Sequence, residues 1–266
     1  MLDPNSLEAD TLRHFAVLIA LLRDRQNFIE EIRKNIKIES KIVSLLISSS
    51  LFFAIYGAII GTSSSWLQAI SSAIKLPALY LITLIICLPT LFFFDILFGS
   101  ALGFSQYAAL ILTTVAVISV LLFSFAPITL FFLISVHDYN FFLLMNVAIF
   151  ALTGIVGVRL FYAGMRSLTQ QPNLGASTAV IHRNDPSDDF EPVAIISKQE
   201  EGLQRTRKRL LQFWLVLYAL VGSQLGWTLR PFFGVPGESF QLFRNIEGNF
   251  YGQVFRLFFT LLGFDV

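Results

Sequence analysis

The sequence predicts an all-α polytopic membrane bundle of five transmembrane helices with interfacial amphipathic helices. Charge is scarce, at 14% of 266 residues against roughly 25% in an ordinary soluble domain. The scarcity is also local, because residues 42–158 carry only Lys75, Asp95 and Asp138 as formal charges. A soluble fold of that size would have too few polar side chains to face water. Finally, apolar runs near 20 residues recur, the length that crosses a hydrocarbon layer of roughly 30 Å.

Residues 1–41 read as a cytoplasmic amphipathic segment with seven basic and seven acidic side chains. They lack the basic start, short apolar core and small-residue cleavage site of a signal peptide. A short amphipathic or apolar stretch covers 11–22, and Phe28, Ile29, Ile32 and Ile36 then recur at helical spacing among charged residues. This pattern suits a helix lying at the interface or packed on the cytoplasmic side of the bundle.

A four-helix transmembrane region follows over 42–166. The first crossing is 42–61. Residues 62–75, with Trp66 expected at the headgroup level, read as a short interfacial helix. Pro77 then suits the first turn of a second crossing over about 77–97. Apolar character continues from near Gln106 to Val136, too short for two crossings of at least about 17 residues each. It reads as one long helix bent near Pro127. The fourth crossing covers about 140–163.

Residues 167–209 read as a cytoplasmic linker, polar and punctuated by Pro172, Gly175, Pro186 and Pro192. Its acidic cluster, Asp185 to Glu191, reads as a solvated face. The basic run Arg205, Arg207, Lys208 and Arg209 sits where it would meet anionic headgroups. The fifth transmembrane helix covers 210–229. Residues 230–266 read as an outer-face cap with an amphipathic helix from about 251 to 262. The cap carries Phe232, Phe233, Phe240, Phe243, Phe250 and Tyr251, more aromatic surface than a disordered tail normally holds. These aromatics are the expected partner or lipid surface.

Basic residues set the orientation. Seven Lys or Arg precede the first crossing and eight lie from Arg159 to Arg209, whereas Lys75 alone lies between the first two crossings. With five crossings both rich segments fall on one side, which the positive-inside rule makes cytoplasmic. The C-terminus is then outside, in what we expect to be a bacterial inner membrane.

An ionised group at the bilayer centre costs roughly 3 kcal/mol on insertion scales. All three charges of the apolar span fall near predicted edges instead. The topology pairs Asp95 with Arg159 on the cytoplasmic side and Lys75 with Asp138 on the outer side, as structural ion pairs. Gly57–Gly61 and Gly222–Gly226 have GxxxG spacing, and Gly154, Gly157 and Gly164 mark a small face on the fourth helix. Small residues four apart let helices approach closely, here more readily within one chain than between copies. Asn146, Ser223 and Gln224 are candidates for hydrogen bonds between helices.

No catalytic residue, cofactor site or metal site is expected. His14, His137 and His182 lie in different segments with no ligand spacing, and phosphate-loop, HExxH and GxSxG motifs are absent. Cys87 in an apolar stretch reads as a small buried hydrophobe. A net charge of +1 makes nucleic acid an unexpected partner.

Residues 69–77 (AISSAIKLP), then Leu88-Pro89 and a Gly99-Ser100 turn before Gln106, are similar to bacterial members of the Yip1 superfamily. The resemblance covers about 25–165 and the last crossing. It implies five crossings, a cytoplasmic N-terminus and a role in membrane organisation and partner recruitment. The long acidic linker and aromatic outer tail depart from that pattern. The expected function is a noncatalytic membrane scaffold or accessory subunit, acting on lipids, other membrane subunits or further copies of itself. The alternative is a small-solute transporter or channel component, with breaks at Pro89 and Pro127 and linings from Thr83, Thr90, Asn146 and Gln224.

Overall fold

A chain this apolar has little water to satisfy its peptide groups, and helices satisfy them internally. The computed structural model describes residues 4–97, 102–136, 138–169, 209, 212–229, 240, 242–243 and 249–261. Every regular element among them is a helix: α1 Pro4–Arg23, α2 Arg25–Arg33, α3 Ile38–Gly61, α4 Trp66–Leu97, α5 Phe104–Ser135, α6 Tyr139–Thr169, α7 over 212–228 and α8 Phe250–Leu261. Among the described residues, Ile38–Gly61, Trp66–Phe94, Phe104–Ser135 and Tyr139–Leu168 are long and apolar enough to cross a membrane. The chain is an integral membrane protein.

Helices α3 to α6 alternate in direction. Gly57 meets Ser72 and Gly61 meets Gln68, so α3 and α4 are antiparallel. Phe52 packs on Phe123, and Tyr56 bonds Thr129, so α3 and α5 run parallel. Gly157 lies against Ile118 and Gly164 against Leu110, which sets α6 antiparallel to α5. Helix α7 lies along α4 in the opposite sense, Gly222 beside Thr83 and Gly226 beside Leu79.

The segment expected to be a short interfacial helix before Pro77 is instead continuous with the crossing. Helix α4 runs unbroken from Trp66 to Leu97 with Pro77 and Pro89 inside it. Each proline removes one intrahelical bond, but ending the helix there would leave several peptide groups unsatisfied against lipid. The first turns are also held upright by α3. A Cβ added at Gly61 would lie 2.5 Å from the Gln68 carbonyl oxygen and 2.6 Å from Ala69 Cα, and one at Gly57 would strike the Ser72 carbonyl. Backbone meets backbone there. The third apolar run is one helix, α5, with Pro127 inside it, as expected.

The N-terminal segment packs on the bundle rather than standing clear of it. Leu18 and Leu21 of α1 are buried, and Phe15 meets Phe52 of α3 edge to face at 5.9 Å. Phe28, Ile29 and Ile32 of α2 are buried, and α2 contacts α5 and α6. The turn into α3 places Asn35 and Lys37 at φ of 60° and 48°. Asn tolerates that region, while Lys carries a steric cost there.

The packing separates the glycines into two kinds. Gly61→Ile should force α3 from α4 and lower stability by about 3 kcal/mol or more, beyond ordinary overpacking. Gly154→Ala, where nothing lies within 4 Å of the added carbon, should leave stability within about 0.5 kcal/mol. Thermal unfolding of both variants in one detergent checks this, and equal losses would contradict it.

Candidate functional site

The side chains that fix the bundle meet at Tyr56. Its hydroxyl donates to Asn146 Oδ1 at 2.9 Å and lies 3.2 Å from Thr129 Oγ1. With the phenolic proton directed at Asn146, the Thr129 hydroxyl donates to the Tyr56 oxygen. Asn146 Nδ2 in turn donates to the Phe142 carbonyl at 2.8 Å. All three residues are fully buried. One phenol thus joins α3, α5 and α6 where unpaired polar groups would be costly. Phe150 packs edge-on to Tyr56 at 5.8 Å, and Phe53 stacks on Tyr80 at 4.0 Å.

A second polar row lies on the first turns of α4. Gln68, Ser71, Ser72 and Lys75 recur at one-face spacing, and all are buried. Gln68 Nε2 donates to Ser72 Oγ at 3.4 Å. Ser71 Oγ has no hydrogen-bond partner among the described residues. Lys75 donates to the Leu242 carbonyl and lies 4.7 Å above the Phe243 ring. A carbonyl and an aromatic face together stabilise a cation removed from water. Leu242 and Phe243 therefore lie against the first turns of α4. Farther along, Ser223 of α7 and Tyr251 of α8 share a hydrogen bond of 2.9 Å, and Trp227 meets Phe250 at 6.4 Å.

At the opposite end of the bundle, α1 and α2 form a polar belt. Lys41 is buried, with Nζ 2.6 Å from Glu31 Oε2 and 4.8 Å above Phe28. His14 shares a hydrogen bond with Ser44 at 2.9 Å, and Ser48 donates to the His14 carbonyl at 3.2 Å. Gln106 accepts from the Gly103 N–H at 2.8 Å and donates to the Arg33 carbonyl at 2.9 Å. It satisfies the start of α5 and the end of α2 at once. Desolvation pushes the Glu30 carboxyl up, but hydrogen bonds and charges from Arg33 and Lys34 outweigh it and hold the group below its usual range.

Of the two expected ion pairs, the one between Lys75 and Asp138 is not among the ion pairs of the described residues. Asp138 instead accepts the backbone N–H groups of Asn140 and Phe141 at 2.9 and 3.4 Å, capping α6. Lys75 is held by the tail. Ion pairs among the described residues join Glu30 to Arg33 and Lys34, and Glu31 to Lys41; Lys75 with Asp138 is not among them. Topology placed both at one membrane edge, but a local cap satisfies an aspartate with less ordering than a pair across helices. Arg159 is exposed, and the Asp95 side chain lies outside the described residues.

The glycine expectations divide. Gly57, Gly61 and Gly157 accept close neighbours, Gly222 and Gly226 make ordinary contacts with α4, and Gly154 faces open space. Phe243 and Tyr251 take part in contacts within the chain, Phe250 packs on Trp227, and Phe240 is exposed. Phe232 and Phe233 lie outside the described residues, as does the linker over 170–208. Sequence reasoning missed Tyr56, Thr129 and Gln106. It also missed the Gln68-to-Lys75 row, whose helical spacing was visible but was assigned to an interfacial segment.

Tyr56→Phe and Asn146→Leu should each destabilise the bundle by about 1 kcal/mol, with a coupling energy of similar size, within the range for hydrogen bonds between membrane helices. A double-mutant cycle by reversible unfolding measures it. Simple additivity would show that the junction contributes nothing beyond shape.

No protein-family model matches the chain, and neither a curated protein nor a solved structure is detectably similar to it.

Proposed function

We propose that the protein is a noncatalytic integral membrane scaffold or accessory subunit that organises partner proteins or membrane lipids. One observation carries this reading: at the centre of the bundle, buried polar side chains join three of its own helices. Tyr56, Thr129 and Asn146 form a closed junction. Thr83 and Thr90, candidate linings for a solute path, donate to the Leu79 and Ile86 carbonyls of their own helix. Groups so engaged fix a framework, and the surface is left for recognition. That division also suits the likeness to the Yip1 superfamily.

In this proposal α7 makes a fifth crossing. Its 17 described residues span about 25 Å at 1.5 Å per residue, and its antiparallel seat on α4 supports a transmembrane course. The N-terminal belt then faces the cytoplasm and the α8 end faces outward, in a bacterial inner membrane.

Two measurements test the proposal. In a Cys87→Ser background, Lys37→Cys should react with an impermeant maleimide only after the cytoplasmic side is opened, and Tyr251→Cys should react from outside. Labelling of both from one side would rule out the fifth crossing. Crosslinking in native membranes, followed by mass determination in mild detergent, should give a defined assembly larger than the 29.9 kDa chain. A strictly monomeric species would count against a scaffold.

A further inference from the structure

Two clefts flank α2, and their chemistry differs. One is lined by Ala20, Arg23, Asp24, Asn27, Phe28 and Glu31, mixing both signs of charge. The other, about 300 Å³, lies between α2 and the end of α6 and is lined by Arg25, Gln26, Ile29, Ala163 and Ser167. No carboxylate lines it among the described residues. Of the flanking acids, Asp24 accepts the Asn27 N–H at 3.0 Å and lines the first cleft, and Glu30 pairs with Arg33 and Lys34. The second cleft offers a guanidinium, an amide and a hydroxyl above a floor of Ile29 and Ala163. Ile29 is buried, whereas Arg25, Gln26, Ala163 and Ser167 are accessible.

The position of the cleft selects the ligand. Ala163 and Ser167 occupy the last turns of a candidate membrane span that ends at Leu168, the depth at which lipid phosphates lie. Arg159, Ala163, Arg166 and Ser167 fall on one side of α6 by helical spacing, and both arginines are exposed. Positive charge thus continues from the cleft down the helix. Arginine binds phosphate oxygens in a forked geometry that a lysine cannot reproduce.

We infer that the α2–α6 cleft is a binding site for the headgroup of an anionic phospholipid. Arg25 grips the phosphate, Gln26 and Ser167 bond its remaining oxygens or the glycerol hydroxyls, and Ile29 and Ala163 seat the first carbons of the lipid. A volume near 300 Å³ is at the lower end for small-molecule sites, enough for a headgroup with its acyl chains left in the bilayer. The site would tie α2 to the spanning bundle through the membrane itself. This inference rests on the lipid-organising part of the proposed function, yet it fails separately, because lipid selectivity and assembly mass are read independently.

The test is native mass spectrometry of the purified full-length protein titrated with phosphatidylglycerol or phosphatidylcholine. The wild type should retain phosphatidylglycerol preferentially. Arg25→Gln and Ser167→Asp should each weaken that binding about tenfold, the scale of one charge-assisted contact. Arg256→Gln, an equal change of charge on α8, should not. Unaltered melting of each variant in phosphatidylcholine shows that the fold persists. Equal weakening by Arg256→Gln, or undiminished binding by both cleft variants, overturns the site. If inorganic phosphate at matched concentration displaces the lipid completely, the site is one for a free anion, and the assignment to lipid is overturned.

Discussion

Helix α3 must be narrow on one side and polar on another, and the rest of the bundle is arranged around that requirement. Between helices in lipid there is no hydrophobic drive, since the tails are as apolar as leucine. Association must come from close contact and from hydrogen bonds. Gly57 and Gly61 supply the first by letting the α4 backbone approach closer than any side chain permits. Tyr56, next to Gly57, supplies the second by reaching Thr129 and Asn146. Three residues within two turns therefore set the positions of α4, α5 and α6. The close approach explains why α4 stays helical through Pro77. Unwinding there would break the fit at Gly57 and Gly61 as well as exposing peptide groups.

The two ends of the bundle meet different conditions, and their polar chemistry differs accordingly. At the N-terminal belt, acids and bases pair directly, as in Lys41 with Glu31. Gln106 joins the start of α5 to the end of α2. At the other end, Lys75 meets the Leu242 carbonyl and the face of the Phe243 ring. Both partners come from a segment more than 160 residues later in the chain. The tail thus serves the bundle directly. Its described aromatic residues divide between internal contacts and exposed surface.

The class of fold was legible because it follows from composition: the charge deficit and the lengths of the apolar runs require helices in a membrane. Individual boundaries were less legible wherever a polar residue was buried. Gln68, Ser71, Ser72 and Lys75 looked like an exposed interfacial stretch, since sequence alone does not reveal that Gly57 and Gly61 of α3 pack on the backbone of Ser72 and Gln68. Asp138 and Lys75 illustrate the converse error. Opposite charges at one predicted depth suggested a pair, but depth fixes only one coordinate of three. Asp138 found its donors in the N–H groups of Asn140 and Phe141, and Lys75 met the Leu242 carbonyl and the Phe243 ring, far along the chain where no periodicity points to them. Asn146 was legible as a polar residue between helices; its partner Tyr56 was not, because tyrosine is equally common at apolar positions.

Where the polar groups are used also bears on where function can reside. A bundle joined at Tyr56 resists sliding of its helices, because each displacement breaks a buried hydrogen bond in a medium that offers no replacement. Gly61 adds a steric limit, since rotation of α3 would drive side chains into the α4 backbone. Such a core favours one arrangement of helices rather than two. In the proposed scaffold reading, recognition would fall to surfaces whose geometry the core fixes: the basic margin of α6, the accessible face of α2 and the exposed aromatics near α8. The α2–α6 cleft is one of these. Both of its walls are held by buried residues, Ile29 and Ile32 on one side and Leu160, Phe161 and Met165 on the other. A headgroup bound there would meet a preformed site, with little ordering left to oppose its binding.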